Sequence, residues 1–516
     1  MERPNFGGEL RRLRQQRSLS LKKFAQLVHY DPGYLSKIEN GSKPPTATFA
    51  ARCDAALGTG GSLSALVAAP LDRKPPRIAH EIKMPVVIDG RPVLLPIRTN
   101  GKLNLTVGTD ENHGAEADLA QALSHDLPGS SAVMVINSAG MAWQWELPGD
   151  RAFSGATLPA HLAEASWSTH HTAVIADQRL RPLRGFISSA PRGVIMASIP
   201  GESISSHVLL DVVAARKQTP SRTVTIPQAF KTDDLTLGIL WALSNLDEAL
   251  LNDDGTLAQA RQRVRSPAEL EYSAIPSNEL AELSAVSQMW LGSESCARFI
   301  ISNTRDFSNQ PVFWTREQRG EEASAWLFFQ HKLDYLRATS RRFTDTSEFA
   351  SRTFCVPEHA VLDSPPSERV LLLLSAALME SLGIRTQFCS DPALSQMDGF
   401  ALAPGSEAVI GNWVRMDGRW HVDKTRSASV IQTFGDVIRH AGAHGLSDAA
   451  NPAARLAALA NYLGISWAWL TSRCSALADY TCRDFAQPRS RLLSTDGVDA
   501  ACRYVASLRH EPTSGG

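Results

Sequence analysis

The sequence predicts a multidomain chain: a small all-α head of five helices, followed by a large α+β body with a β-biased middle and a helical remainder. Three observations predict it. The chain has 516 residues, more than one hydrophobic core usually holds. Apolar residues recur at helical spacing in roughly the first seventy positions, punctuated by Gly and Pro. Beyond a proline-rich stretch the pattern turns strand-like, then returns to a helical period near Asp233. A hydrophobic fraction of 43% with 20% charged residues is that of a globular chain. The longest wholly aliphatic run, Val370 to Leu374, is far too short to span a bilayer. The opening MERPNFGGELRRLRQQR lacks the apolar core of a signal peptide. Seven dispersed cysteines without a C-x-x-C pair read as reduced thiols. A cytoplasmic protein without membrane association is expected.

In the head, Phe6, Leu10 and Leu13 mark a first helix, with Arg11, Arg12, Arg14 and Arg17 around its polar surface. Ser20 is placed to cap a second helix bearing Leu21, Phe24, Ala25 and Val28. After His29-Tyr30, Asp31-Pro32 supplies a cap and a first-turn proline for a third helix. Leu35 and Ile38 face inward on it, and Gly41 ends it. Pro44-Pro45 precedes a fourth helix with Phe49, Cys53 and Leu57, closed by Gly58. Leu63, Leu66 and Val67 mark the fifth. Two short helices joined tightly behind a supporting helix form a helix-turn-helix order. Residues 1–75 carry twelve Lys/Arg and six Asp/Glu, a net +6 that leaves −7 for the rest. That asymmetry points to an anionic partner for the head alone.

At Leu19 to Gly41, LSLKKFAQLVHYDPGYLSKIENG resembles the Cro/C1-type (XRE) helix-turn-helix family and its λ-repressor-like head. Ser20, Ala25, Leu35, Ile38, Glu39, Asn40 and Gly41 fill the positions of its L-S-x-x-x-L-A and S-x-I-E-N-G pattern. The resemblance, of actinobacterial type in its Ala/Arg-rich wording, covers about the first 68 residues. It implies a bacterial regulator whose third helix enters the major groove of double-stranded DNA. Pro32, Gly33, Tyr34, Ser36 and Lys37 would then face the groove. The family often has Gln at the start of the second helix, where Leu21 stands here. Pro32 and Gly33 offer no side-chain hydrogen bond, and none of the other three is the Arg or Asn/Gln of bidentate base contacts. Weak readout by one head is therefore expected, with DNA shape or a homodimer on repeated half-sites supplying discrimination. Arg17, Lys22, Lys37 and Lys43 are expected at phosphates, with Asn40 and Gly41 beside them.

Residues 1–69 are read as the head, and 70–85 (PLDRKPPRIAHEIKMP) as a semi-stiff tether. Residues 86–227 form the β-biased middle. VVIDGRPVLLPI holds an Asp89-Gly90 hairpin signal, and SAVMVINSAGMAWQWEL suggests a second strand pair. HTAVIADQ, GVIMASIP and SRTVTIPQ continue the pattern. His161, His170 and His171 do not have the spacing of a metal site. Residues 228–345 read as helical, with Trp290, Trp326, Phe329 and Tyr335 as core. Residues 346–430 read as α/β, and 431–516 as helical again.

Within the α/β part, PPSERVLLLLSAALMESLGIRTQF reads as a helix leading through Gly383 into a strand. AVIGNWVRMDGRWHVDKT follows as a hairpin turned at Asp417-Gly418. Trp413, Gly418-Arg419-Trp420 and Asp423-x-Thr425 give this order its likeness to a degenerate transglutaminase-like (papain-related) core. That family starts its helix with a nucleophilic Cys and supplies His and Asp from the strands. Here Ser367 and Glu368 stand in the first slot and Gly411 and Asn412 in the second; Asp423 alone matches. His421 shares a strand face with Asp423 but fills no slot. A thiolate nucleophile needs its imidazole partner, so no catalytic residue is expected. Cys355 and His359 form no recognisable dyad. No phosphate-binding loop, dinucleotide fingerprint, H-E-x-x-H or G-x-S-x-G occurs, and no cofactor or metal is expected. Two readings follow: a DNA-binding regulator whose body senses a small-molecule effector, binds a protein partner or dimerises, or a cytosolic hydrolase or acyltransferase carrying a DNA-binding appendage. Complete helix-turn-helix residues beside broken enzymatic motifs favour the regulator.

Overall fold

The computed structural model describes residues 6–67 apart from 18, 29, 31, 42–44, 46 and 60, and in the body 80–88, 91–99, 103–104, 131–137, 140–149, 151–168, 171–199, 208–218, 221–265, 272–276, 280–305, 307, 310–343, 350–411 and 419–508. The chain divides into two compact units, residues 1–80 and 81–516.

The first unit contains α1 (Phe6–Gln16), α2 (Leu21–Val28), α3 (Pro32–Glu39), α4 (Ala47–Leu57) and α5 (Ser62–Val67). The apolar spacing places Leu10, Phe24, Val28, Leu35, Ile38, Phe49, Leu57 and Leu63 in one core. Cys53 lies among them, and burial pushes its thiol up to about 12. The Ser20 hydroxyl accepts from the Lys23 amide at 3.2 Å, the N-cap that starts α2. Gly41, at φ +74°, ends α3 in a conformation that a Cβ disfavours. The cap assigned to Asp31, and Pro44 before the fourth helix, lie outside the described residues. Asp54 of α4 accepts from the Leu63 amide at 2.9 Å and from the Thr59 hydroxyl, tying α4 to α5.

The body opens with β1 (His80–Ile88), β2 (Arg91–Thr99) and β3 (Leu103–Asn104), a small sheet in that order. Residues 80–85, which the prolines marked as tether, therefore belong to a strand. Pro85 falls inside β1, an outer strand of this sheet, where sheets accommodate proline. Next come β4 (Ser131–Asn137), β5 (Gly140–Leu147), β6 (Ala156–Glu164), β7 (Ser166–Trp167), β8 (Thr172–Ile175) and α6 (Leu180–Ser189). They continue into β9 (Val194–Ser198), β10 (Val208–Asp211), α7 (Val212–Gln218) and β11 (Val224–Pro227). A five-stranded sheet runs β10-β9-β6-β5-β4, and a smaller one β11-β8-β7. The β4–β5 hairpin pairs Asn137 with Gly140. His161 is buried and stacks on Phe186; His170 lies outside the described residues.

The helical period begins with α8 (Asp234–Asn252), started by a capping box between Asp233 and Thr236. α9 (Asp254–Arg265), β12 (Tyr272–Pro276), α10 (Ala285–Asn303), β13 (Val312–Thr315), α11 (Gly320–Phe328) and α12 (Gln330–Phe343) follow. The α/β part adds β14 (Ser351–Cys355), α13 (Glu358–Leu362), α14 (Pro366–Ser381), β15 (Arg385–Cys389), β16 (Gly399–Ala403), β17 (Glu407–Gly411) and β18 (Arg419–Thr425). The chain closes with α15 (Ala428–Ala443), α16 (Pro452–Tyr462), α17 (Trp467–Ala478) and α18 (Asp496–Ser507). One seven-stranded sheet, ordered β12-β18-β17-β16-β13-β14-β15, takes β12 and β13 from the stretch read as purely helical. Both are short and flanked by long helices, so window-based periodicity hides them. β13, β14 and β15 run parallel, joined by helical crossovers, and the other neighbours are antiparallel. α14 is buried continuously from Val370 to Glu380, as expected of a helix apolar all round. Its Glu380 is neutralised by a two-pronged bond from Arg455, at 3.0 and 2.7 Å. No described helix is long and apolar enough to cross a membrane.

Candidate nucleic-acid interface

The position of α3 is set by an ion pair in the head that periodicity did not reveal. Arg14, read as part of the polar surface of α1, is instead 9% exposed, and Glu39 at the end of α3 is 5% exposed. Arg14 donates Nε to Glu39 Oε1 at 2.6 Å and Nη2 to Oε2 at 2.8 Å, a two-pronged contact. Its Nη1 also reaches the Leu19 carbonyl at 2.8 Å. One guanidinium thus ties α1, the link into α2 and the end of α3 together. A carboxylate at a helix C-terminus opposes the macrodipole, so Glu39 needs this partner. The bond to Glu39 outweighs burial and holds the Arg14 guanidinium above its ordinary value. Arg11 adds an ion pair to Glu39 at 3.4 Å and donates to Asn40 Oδ1 at 3.1 Å.

A second device is Gly7. A Cβ there would stand 2.3 Å from the Ile38 carbonyl oxygen and 2.9 Å from that of Glu39. The missing side chain lets α1 touch the C-terminal backbone of α3. A glycine within a helical pattern, costing about 1 kcal/mol against Ala, was the available signal for it.

On α3 itself, Gly33, Lys37 and the following Asn40 and Gly41 are exposed, while Pro32 and Ser36 are half-buried. Asn40 Nδ2 donates to Ser36 Oγ at 3.4 Å. Tyr34 is half-buried: its ring stacks on Tyr30 at 5.2 Å and meets the edge of Phe49 at 5.6 Å. Burial, with Tyr30 beside it, raises the Tyr34 phenol. Lys22 is exposed in the first turn of α2. Arg17 follows α1 and is exposed, its guanidinium 3.4 Å from where a Gly58 Cβ would sit. That sets Arg17 beside the end of α4. Lys43 lies outside the described residues. Lys22, Lys37, Asn40 and the Gly41 backbone are thus available from α2 and the end of α3.

In the body, the slots of the transglutaminase-like order hold different chemistry. Ser367 is half-buried and Glu368 buried at the start of α14. Glu368 Oε1 accepts the Glu321 amide at 3.1 Å and lies 3.6 Å from Arg151 Nη1. Glu321, 1% exposed, accepts the Ala152 and Phe153 amides at 2.7 and 2.6 Å and pairs with Arg151 at 3.3 Å. Burial first, then the neighbouring Glu368, pushes the Glu321 carboxyl up to about 7 against these donors. A Gly320 Cβ would overlap the Glu368 carbonyl, so backbone closes over the helix start. Asp423 pairs with Tyr272 and Ile410 within the sheet. Among the described residues no hydrogen bond joins it to Ser367 or Glu368. Asn412, Trp413, Asp417 and Gly418 lie outside the described residues. Among the described residues no cluster of three or more His, Cys, Asp or Glu is arranged to hold a metal.

A family model described as a helix-turn-helix domain matches residues 5–67. No curated protein and no solved structure matches the chain. The N-terminal unit is a helix-turn-helix domain, followed by a larger α+β body.

Proposed function

We propose that the protein is a sequence-specific transcriptional regulator of the Cro/C1 (XRE) type from a bacterium of actinobacterial kind. It binds double-stranded DNA through α3 as a homodimer at the nucleoid, and its body serves as effector sensor, partner-binding or dimerisation module rather than as an enzyme. The observation that carries this reading is the Arg14–Glu39 clamp, which holds α3 by its end and leaves Gly33 and Lys37 exposed. With few side chains able to read base edges, paired half-sites supply the discrimination. Lys22 and Lys37 carry the phosphate term.

Selection of the full-length protein against a random duplex library tests the proposal. A recovered motif with two half-sites is expected. Lys37→Glu should weaken binding to it at least tenfold at physiological salt and flatten the salt dependence, with thermal unfolding unchanged. A full-length chain without salt-sensitive affinity for any duplex ends the regulator reading. Unchanged affinity in Lys37→Glu removes this docking of α3.

A further inference from the structure

The body contains a cavity of ≈ 90 Å³ between α10, α12 and the β13–β16–β17 region of the large sheet. On the sheet side Gly399 and Gly411 lie opposite each other in register beside Phe313 and Val409, so part of that wall is backbone. Three cations line the space, Arg316, Lys332 and Arg352, against one carboxylate, Glu317.

The three cations are matched unequally. Lys332 Nζ pairs with Glu317 at 3.0 Å, above the Trp326 ring. Arg316 reaches Asp398 at 3.2 Å. Arg352 is 4% exposed, and among the described residues no carboxylate lies within ion-pair distance of it. Its Nη1 donates to Thr315 Oγ1 at 2.9 Å and its Nη2 to the Tyr335 hydroxyl at 3.1 Å. Its Nε finds no acceptor. The plane lies against Trp326 and Phe313, 4.7 and 4.8 Å from their ring centres. Aromatic faces and hydroxyls tolerate a guanidinium without neutralising it. Burial alone would raise the Glu317 carboxyl, yet Lys332 and, more weakly, Arg352 hold it below its ordinary value. The cavity therefore has a positive field and walls that are otherwise largely apolar.

A buried guanidinium with unused N–H donors and no carboxylate is an incomplete pair. What completes it is a planar anion able to take two parallel N–H bonds, a geometry suited to a carboxylate. Phe313, Ile300 and Val409 offer apolar walls to the rest of such a molecule. We infer that this cavity binds a small monocarboxylic acid with a short apolar body, its carboxylate on Arg352. The inference rests on the regulator reading only in making that acid the effector. Occupation of the cavity is a property of the body and is measured without DNA.

Calorimetric titration of the full-length protein with propionate and with butyrate tests it, beside propionamide, butyramide and inorganic phosphate. Saturable binding of at least one acid is expected, with its amide and phosphate at least tenfold weaker. Arg352→Lys keeps a charge but loses the fork, and should weaken the acid at least tenfold. Ile300→Phe fills the space without touching a charge and should abolish binding while unfolding remains cooperative. Should Arg352→Lys not fold, Ile300→Phe decides. Binding of neither acid, equal binding of acid and amide, preference for phosphate, or binding that survives Ile300→Phe overturns the inference. None of these outcomes alters the selection of DNA by the head.

Discussion

Arg14 in the head and Arg352 in the body are both buried, and they are neutralised in opposite ways. Arg14 has a dedicated carboxylate in two-pronged contact and a backbone carbonyl besides. Arg352 has two hydroxyls, aromatic faces and an unused Nε. The body holds a third variant, in which Arg151 lies within ion-pair distance of two buried carboxylates, Glu321 and Glu368. A complete pair fixes a structure. An incomplete one leaves either a binding capacity or a proton to be taken up.

The largest contrast is in stability. Arg14→Met leaves buried Glu39 with only the longer contact from exposed Arg11, which should cost the head about 3 kcal/mol, and a further Glu39→Leu should restore much of it. Arg352→Met strands no carboxylate and removes a partner from Thr315 and Tyr335, so about 1–3 kcal/mol is expected. Hydrogen exchange of α1–α3 and of β13–β14 in the full-length chain reads the two losses separately. Equal losses would erase the distinction between the two arginines.

Neighbouring glycines sharpen the account of the head. Gly7→Ala puts a Cβ into the Ile38 carbonyl and should destabilise α1–α3 by about 1–3 kcal/mol. At Gly8 nothing lies within 4 Å of the same atom, so Gly8→Ala should stabilise by up to about 1 kcal/mol. Exchange protection of α1 rising in both variants would deny the close approach its role.

The smallest effect concerns Glu321. A carboxyl raised from 4.5 to about 7 on folding binds its proton more tightly in the native than in the unfolded state. Its contribution is complete below about 4.5 and is lost as pH rises toward and through 7. The body's unfolding temperature should therefore decline by roughly a few degrees between pH 5 and 8, and Glu321→Gln should flatten that slope. An identical slope in the variant would place the titration elsewhere.

Sequence periodicity was enough to find the five helices of the head, the Ser20 cap and the Gly41 stop, because each is a local signal. Arg14 escaped because apolar spacing is blind to a charged residue at a core position. Its place four residues after Leu10 and eight after Phe6, with Glu39 in the family pattern, was the available clue. In the body, strand pairs such as β4–β5 were legible for the same local reason. The cavity was not: Arg316 lies in a loop, Lys332 on a helix and Arg352 on a strand, and they share no spacing. Trp326 and Tyr335 were read as core, and they are buried, but they also border that cavity.

The edge pairing of β12 with β18, which sets Tyr272 beside Asp423, has a consequence for the order of synthesis. A ribosome must deliver some 150 residues after the first of these strands before the second exists. Throughout that interval β12 lacks this partner, whereas every helix of the head has already left the exit tunnel with its own neighbours. The N-terminal unit can therefore finish folding on a nascent chain whose principal sheet is still open.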